Sequence, residues 1–271
     1  MIGGMKAFGF AGKTVLVTGA SMGIGEVFAR ELSRRGAIVV LVARSEGKLQ
    51  SLAAELGNAH VIATDLAAPG AAARLLEAVA AKGLEVDVLV NNAGFGLHGG
   101  FGDLPLATQR EQIDLNVGAL VELTHLFLPM IERRQGGVIQ VASMAAFQPV
   151  PYMAVYAATK AFVLSFSEAL WAEYQPRGIR ILALNPGATE TPFFQRAGEG
   201  AAFGPKASPQ DVVRVGLAAF VAGRASVVQG FANSIMAILS RFAFGELATK
   251  VLARLMKPKQ PALGRPAHGG G

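Results

Sequence analysis

The chain contains no cysteine. That excludes a disulfide framework, thiolate zinc sites and cysteine nucleophiles, and it fits a reducing compartment. Histidine is scarce too: His60, His98, His125 and His268 are scattered without ligand-like spacing, so no metal is expected. Charged residues make up only 16% of the 271 positions, against 52% hydrophobic, which excludes a disordered chain. The net charge of +6 leaves an anionic membrane surface or an anionic cofactor as partners. No Lys/Arg run carries interleaved aromatics, so nucleic acid is not expected. No apolar run approaches the roughly 18 residues of a membrane span. Met1–Gly12 lacks the apolar stretch of a signal peptide, and the expectation is a soluble, cytoplasmic protein.

What the chain does have is alternation. Lys13–Thr18, Ala37–Val42, Ala59–Ala63, Val86–Val90, Val138–Val141 and Ile179–Leu184 read as buried strands, with a short seventh at Ser226–Val228. Helical patterns fill the intervals, the longest from about Ala107 to Arg134. The length suits one domain, taken here as residues 1–257, with 258–271 as a loose tail. Strand and helix in turn predict an α/β architecture, a doubly wound parallel sheet of about seven strands with helices on both faces. Ligands in such sheets bind outside the carboxyl ends of the strands.

Two clusters there carry chemistry. Between the first strand and the first helix, Gly19, Ser21, Met22, Gly23, Ile24 and Gly25 form a glycine-rich turn. Glycine at those places permits a tight turn and close backbone approach to a pyrophosphate at a helix N-terminus. Farther on, Tyr156 and Lys160 are four residues apart, on one helix face. A phenol with a pKa of about 10 is a poor acid/base catalyst at neutral pH. A cation one turn away stabilises the phenolate and moves the group toward a working range. Of the three tyrosines, only Tyr156 has a lysine at that spacing.

The stretches TGASMGIG at 18–25, NNAG at 91–94, YAATK at 156–160 and NPG at 185–187, with Asn116 and Ser143, stand in a telling order. In that order and spacing the chain resembles the short-chain dehydrogenase/reductase family over roughly residues 10–230. The resemblance implies a single-domain Rossmann fold and hydride exchange between a nicotinamide cofactor and a ketone, aldehyde or alcohol. It implies that Tyr156 is the general acid/base, that Ser143 polarises the carbonyl oxygen, and that Lys160 tunes Tyr156 and binds the nicotinamide ribose. Asn116 would anchor a water that links Lys160 to solvent. For the cofactor, it implies Asn92, Ala93 and Gly94 beside the adenosine ribose and Asp65 and Leu66 beside the adenine. Pro186, Gly187, Thr189 and Thr191 would lie near the carboxamide or phosphates.

After the second strand come Ala43 and Arg44, a guanidinium where a carboxylate would repel a 2′-phosphate, so NADP is expected over NAD. Phe95, Met144, Phe147, Met153, Phe193, Phe194 and Phe203 suggest an apolar substrate pocket, and about 192–207 a lid. In a helix at about 245–257, Leu247, Val251, Leu252 and Leu255 form an apolar stripe with Lys250, Arg254 and Lys257 on other faces. It is expected either to touch an anionic membrane peripherally or to pack on its own domain or a second subunit. A homodimer or homotetramer is implied by the resemblance. The alternatives are an epimerase or dehydratase on the same fold, and a sensor or scaffold that binds NADP without turnover.

Overall fold

Seven short β-branched runs pair side by side, all parallel: β1 Thr14–Thr18, β2 Ile38–Ala43, β3 Ala59–Ala63, β4 Val88–Asn91, β5 Gly137–Val141, β6 Arg180–Asn185 and β7 Ser226–Val228. This computed structural model describes residues 7–201, 205–230, 233–235, 237 and 245–258. The strand order is β3-β2-β1-β4-β5-β6-β7. Val15 pairs with Val39 on one side and Val88 on the other, so the winding reverses between β1 and β4. A crevice opens at the carboxyl ends where the order reverses.

Helices cover both faces because the inner strands are apolar on both. Val15 and Val17 of β1 face one layer and Leu16 the other, as the pleat requires. On the first face lie Phe28 and Leu32 of α1 (Gly23–Arg34), with Val212, Leu217 and Phe220 of a later helix, Pro209–Val221. On the second lie Leu75 and Val79 of α3 (Ala71–Ala81) and Leu123, Phe127 and Ile131 of α5 (Leu120–Arg133). Between α1 and α3 comes α2, Glu46–Leu56, closed by Gly57 in the left-handed conformation. At the opposite end of the sheet, Asp87 is wholly buried and accepts from Thr14 N, Lys13 Nζ and Arg134 Nε at 2.9, 2.9 and 3.0 Å. It ties β1, β4 and the end of α5 together.

Two expectations are changed. The long helix spans Leu106–Arg133, but α4 (Leu106–Ile113) and α5 are joined by a π-helical turn, Asp114–Ala119. By length and composition this stretch could cross a membrane; here Leu120, Leu123, Phe127 and Ile131 are buried in the domain. The C-terminal helix, Gly245–Leu255, divides its expected stripe. Leu252 and the next-turn Met256 pack on Val150, Met153 and Ala157, whereas Val251 and Leu255 are exposed. The side chain of Leu247, Phe203 and residues 259–271 of the expected tail lie outside the described residues.

Candidate active site

Thr18 ends β1 with its hydroxyl 3.2 Å from Val90 O, to which it donates. Thr18 Oγ1 in turn accepts from Asn92 N at 2.9 Å and Ala93 N at 3.0 Å, while Asn92 Nδ2 donates to Thr18 O at 2.9 Å. One hydroxyl thus fixes the end of β4 against the glycine turn. Gly19 and Gly23 have φ of +67° and +60°, which an L side chain adopts only under strain. A Cβ on Gly25 would lie 2.3 Å from Gly19 O, so the turn folds back on α1 only because that residue has none. The N-terminus of α1 is thereby presented to the crevice with its unpaired N–H groups and dipole.

Past β5, Ser143 caps a 3₁₀ turn (Met144–Phe147), its Oγ accepting from Ala145 N at 3.1 Å. Tyr156 and Lys160 lie on α6, Ala154–Tyr174. Burial pushes the Tyr156 phenol up, and a hydrogen bond with Ser143 partly opposes it. Lys160 is buried; its Nζ donates to Val141 O at 2.7 Å and stands 5.9 Å from the centre of the Tyr156 ring. Burial lowers its pKa to about 8. Asn116, in the π-helical turn, donates through Nδ2 to Phe95 O and Thr159 Oγ1 at 3.0 and 3.1 Å. Its Oδ1 accepts from Phe95 N at 3.1 Å. π turns recur at functional sites because they re-aim single side chains, and this one aims Asn116 at the loop after β4.

These groups surround a cavity of about 1040 Å³, at the upper end of the usual range of roughly 300–1,000 Å³ for ligand sites. A model of the short chain dehydrogenase family matches residues 13–202. The chain belongs to that family. Over 184 residues it is 36% identical to serine 3-dehydrogenase from Agrobacterium fabrum, spanning 66% of this chain and 73% of the relative. It is similar, at a TM-score of 0.76 and 31% identity, to the short-chain dehydrogenase from Sphingobium yanoikuyae in complex with NADPH, covering 92% of this chain and 98% of that one. The 3-ketoacyl-(acyl-carrier-protein) reductase from Brucella melitensis complexed with NADH matches at 0.74 and 29%, over 82% and 98%. As a short-chain dehydrogenase the protein is an oxidoreductase acting on CH–OH groups with a nicotinamide cofactor. The glycine turn, whose missing side chains leave a cradle under the α1 N-terminus, fits such a dinucleotide.

In this short-chain dehydrogenase the cavity brings together Gly19, Ser21, Met22, Gly23 and Ile24 with Arg44, Asp65, Leu66, Asn92, Ala93 and Gly94. Pro186, Gly187, Thr189 and Thr191 line it beside Ser143, Tyr156 and Lys160. Phe95, Met144, Met153, Phe193 and Phe194 do so too, and Phe193 tilts over Tyr156 with ring centres 5.5 Å apart. Three expected residues are elsewhere. Gly25 lies behind the turn, as packing. Asn116 is not part of the cavity wall; it is hydrogen-bonded to Phe95 and Thr159 behind it. Phe147 turns away into the core beside Val163, Leu164 and Ala183, because the 3₁₀ turn aims it under α6; Gln148 and Val150 line the wall instead. The phenol is raised by burial, and the group that opposes this is Ser143 through its hydrogen bond, not Lys160 as expected.

Sequence reasoning missed Lys48 beside Arg44, Lys206 in the lid segment, and Leu252 and Met256 of the C-terminal helix. Lys48, one turn into α2, was within reach of the spacing. Nothing local marked Leu252 and Met256, which come to the cavity from about a hundred residues beyond Tyr156.

Proposed function

We propose that this dehydrogenase interconverts a lipophilic ketone or aldehyde and its alcohol, with NADP(H) as cofactor and Tyr156 as general acid/base. The carrying observation is the half-buried phenol, hydrogen-bonded with Ser143, in a cavity walled by Phe95, Met144, Val150, Met153, Phe193 and Leu252. A phenol held above its ordinary value is protonated at neutral pH, the state that gives a proton to a carbonyl oxygen. Ser143 polarises that oxygen from the same side. Lys160, with its pKa lowered to about 8, is still mostly protonated at neutral pH and steadies a phenolate when one forms. It also lies where it can hold the nicotinamide ribose. The bound cofactor supplies or takes the hydride. Asn116 positions Phe95 and, through Thr159, the Tyr156 turn, since Thr159 Oγ1 donates to Tyr156 O at 2.7 Å.

The choice of NADP rests on the end of β2. Ala43 replaces the acid that would accept from a ribose hydroxyl, and Arg44 and Lys48 line the cavity there. Glu111 Oε1 stands 3.7 Å from Arg44 Nη1 at the surface.

A homodimer or homotetramer is supported by Phe162, exposed on α6 and stacked on Phe166. Peripheral membrane contact would use the exposed Val251 and Leu255 with Arg254 and Lys257; we place the protein in the cytoplasm. Purified protein, NADPH and a panel of carbonyl compounds, followed by nicotinamide absorbance, tests the reading. Consumption of NADPH with apolar ketones or aldehydes is expected. NADPH binding without turnover of any carbonyl would make the protein a sensor, and preference for charged, hydrophilic substrates would overturn the apolar pocket.

A further inference from the structure

One wall of the cavity, beside Met153 and Tyr156, includes Leu252 and Met256, and the parts of the chain behind it meet at one side chain. His98, in the loop after β4, has Nε2 2.7 Å from Met256 O. A carbonyl oxygen only accepts, so the Nε2 proton is donated to it. The ring stands 6.3 Å from that of Tyr152, edge on. Tyr152 is held at φ +63°, a conformation an aromatic residue avoids, and its carbonyl accepts from Gly99 N at 2.9 Å. A third neighbour is the 3₁₀ turn Glu199–Ala201 of the lid segment: a Cβ on Gly200 would lie 2.9 Å from His98 Cε1. Loop, lid and C-terminal helix therefore converge on one imidazole.

What this convergence holds in place is apolar wall. Leu252 and Met256 line the cavity and pack with Val150, Met153, Ala157, Tyr156 and Ala201. Their helix follows a segment that lies outside the described residues, and His98 grips its last turn by the main chain. A main-chain grip fixes where the helix ends whatever its side chains are, which leaves those side chains free to set the shape of the pocket.

We propose that His98 is a positioning residue that pins the C-terminal helix along this wall of the substrate cavity, so that Leu252 and Met256 set the length of the carbonyl compound admitted. This rests on the reading of the cavity as a site for lipophilic carbonyls. A helix that swung away would leave that wall of the cavity open to water, and selection by length would be lost.

The test uses the full chain with Tyr156→Phe, loaded with NADPH, so that binding is read without turnover. A homologous series of short to long 2-alkanones is titrated by calorimetry into this protein and into the same protein carrying His98→Ala, His98→Gln or Leu252→Trp. With the wall intact, affinity rises with chain length and then drops. Leu252→Trp moves the drop to shorter ketones, lowering affinity for the longest accepted one by about tenfold or more, while the shortest is little affected. His98→Ala flattens the profile, shifting the long-to-short affinity ratio by about tenfold. His98→Gln, which restores an N–H donor near the place of Nε2, returns it. NADPH affinity, measured alongside, shows that each variant is folded; should His98→Ala not fold, Leu252→Trp and His98→Gln still decide.

An unchanged length profile in His98→Ala or Leu252→Trp overturns the proposal, as does failure of His98→Gln to restore it. If no ketone binds the parent protein, the pocket reading falls and this inference with it. If ketones bind with the expected profile but the wild type reduces none, only the proposed activity falls.

Discussion

Lys160→Met should make the protein more stable at neutral pH while abolishing turnover. Methionine keeps the length of the side chain and removes its charge. Lys160 is 6% exposed, and burial lowers its pKa from an ordinary 10.5 to about 8. At about 1.4 kcal/mol per pH unit, the charged form costs the folded state about 3 kcal/mol at pH 7, where the lysine is protonated folded and unfolded. The substitution also strands Val141 O, now 2.7 Å from Nζ, which gives back about 1–2 kcal/mol. The variant should gain about 1–2 kcal/mol at pH 7, a rise in Tm of a few degrees. The folded pKa is the lower one, so the unfolded chain binds more protons between about pH 8 and 10.5, and wild-type stability climbs as pH rises through that window. By pH 9.5 the cost shrinks to about 1 kcal/mol and the advantage of the variant disappears. Urea unfolding of both proteins without cofactor, at pH 7 and pH 9.5, reads this directly. A variant less stable than wild type at pH 7, with a gap that does not change by pH 9.5, would refute a costly buried ammonium.

Arg44→Glu should lower kcat/KM for NADPH by about 10–100-fold and leave NADH unchanged or improved, because it puts a carboxylate where a 2′-phosphate is expected. Equal effects on the two cofactors would remove Arg44 from the recognition. Gly25→Ala puts a Cβ 2.3 Å from Gly19 O; it should cost about 1–3 kcal/mol in urea unfolding and weaken NADPH in titration together, whereas a loss of stability with normal affinity would separate packing from the cradle. Asp87→Ala strands Thr14 N and faces Lys13 and Arg134 with a gap, costing about 2 kcal/mol. Burial pushes the Asp87 carboxyl up, but Arg134, Lys13 and Thr14 N together hold it below its ordinary 3.8. Its contribution is therefore present at neutral pH and lost as pH falls below about 4, so acid unfolding of wild type and variant should converge there.

The strands and the motifs were legible in the sequence because both are local. A buried parallel strand is a short β-branched run, and a glycine turn or a Tyr–Lys pair lies within eight residues. The residues that sequence misplaced are set by geometry at longer range. The π turn at Asp114–Ala119 adds no residue type that a helix lacks, so periodicity passes over it. Phe147 and Gln148 are adjacent, and only the 3₁₀ turn decides which one meets the cavity. Leu252 and Leu255 are equivalent on paper; only the packing of the helix on Val150, Met153 and Ala157 shows that Leu252 faces inward and Leu255 outward. Gly25 resembled a phosphate contact because close packing and phosphate approach both require glycine.

Tyr156→Phe, assayed with NADPH and whichever carbonyl the wild type reduces, tests the role of the phenol most directly. The variant keeps the ring against Phe193 and loses only the hydroxyl. NADPH should bind as in wild type while kcat falls by about 10²–10⁴-fold or more. Turnover close to the wild-type rate would contradict proton transfer by Tyr156.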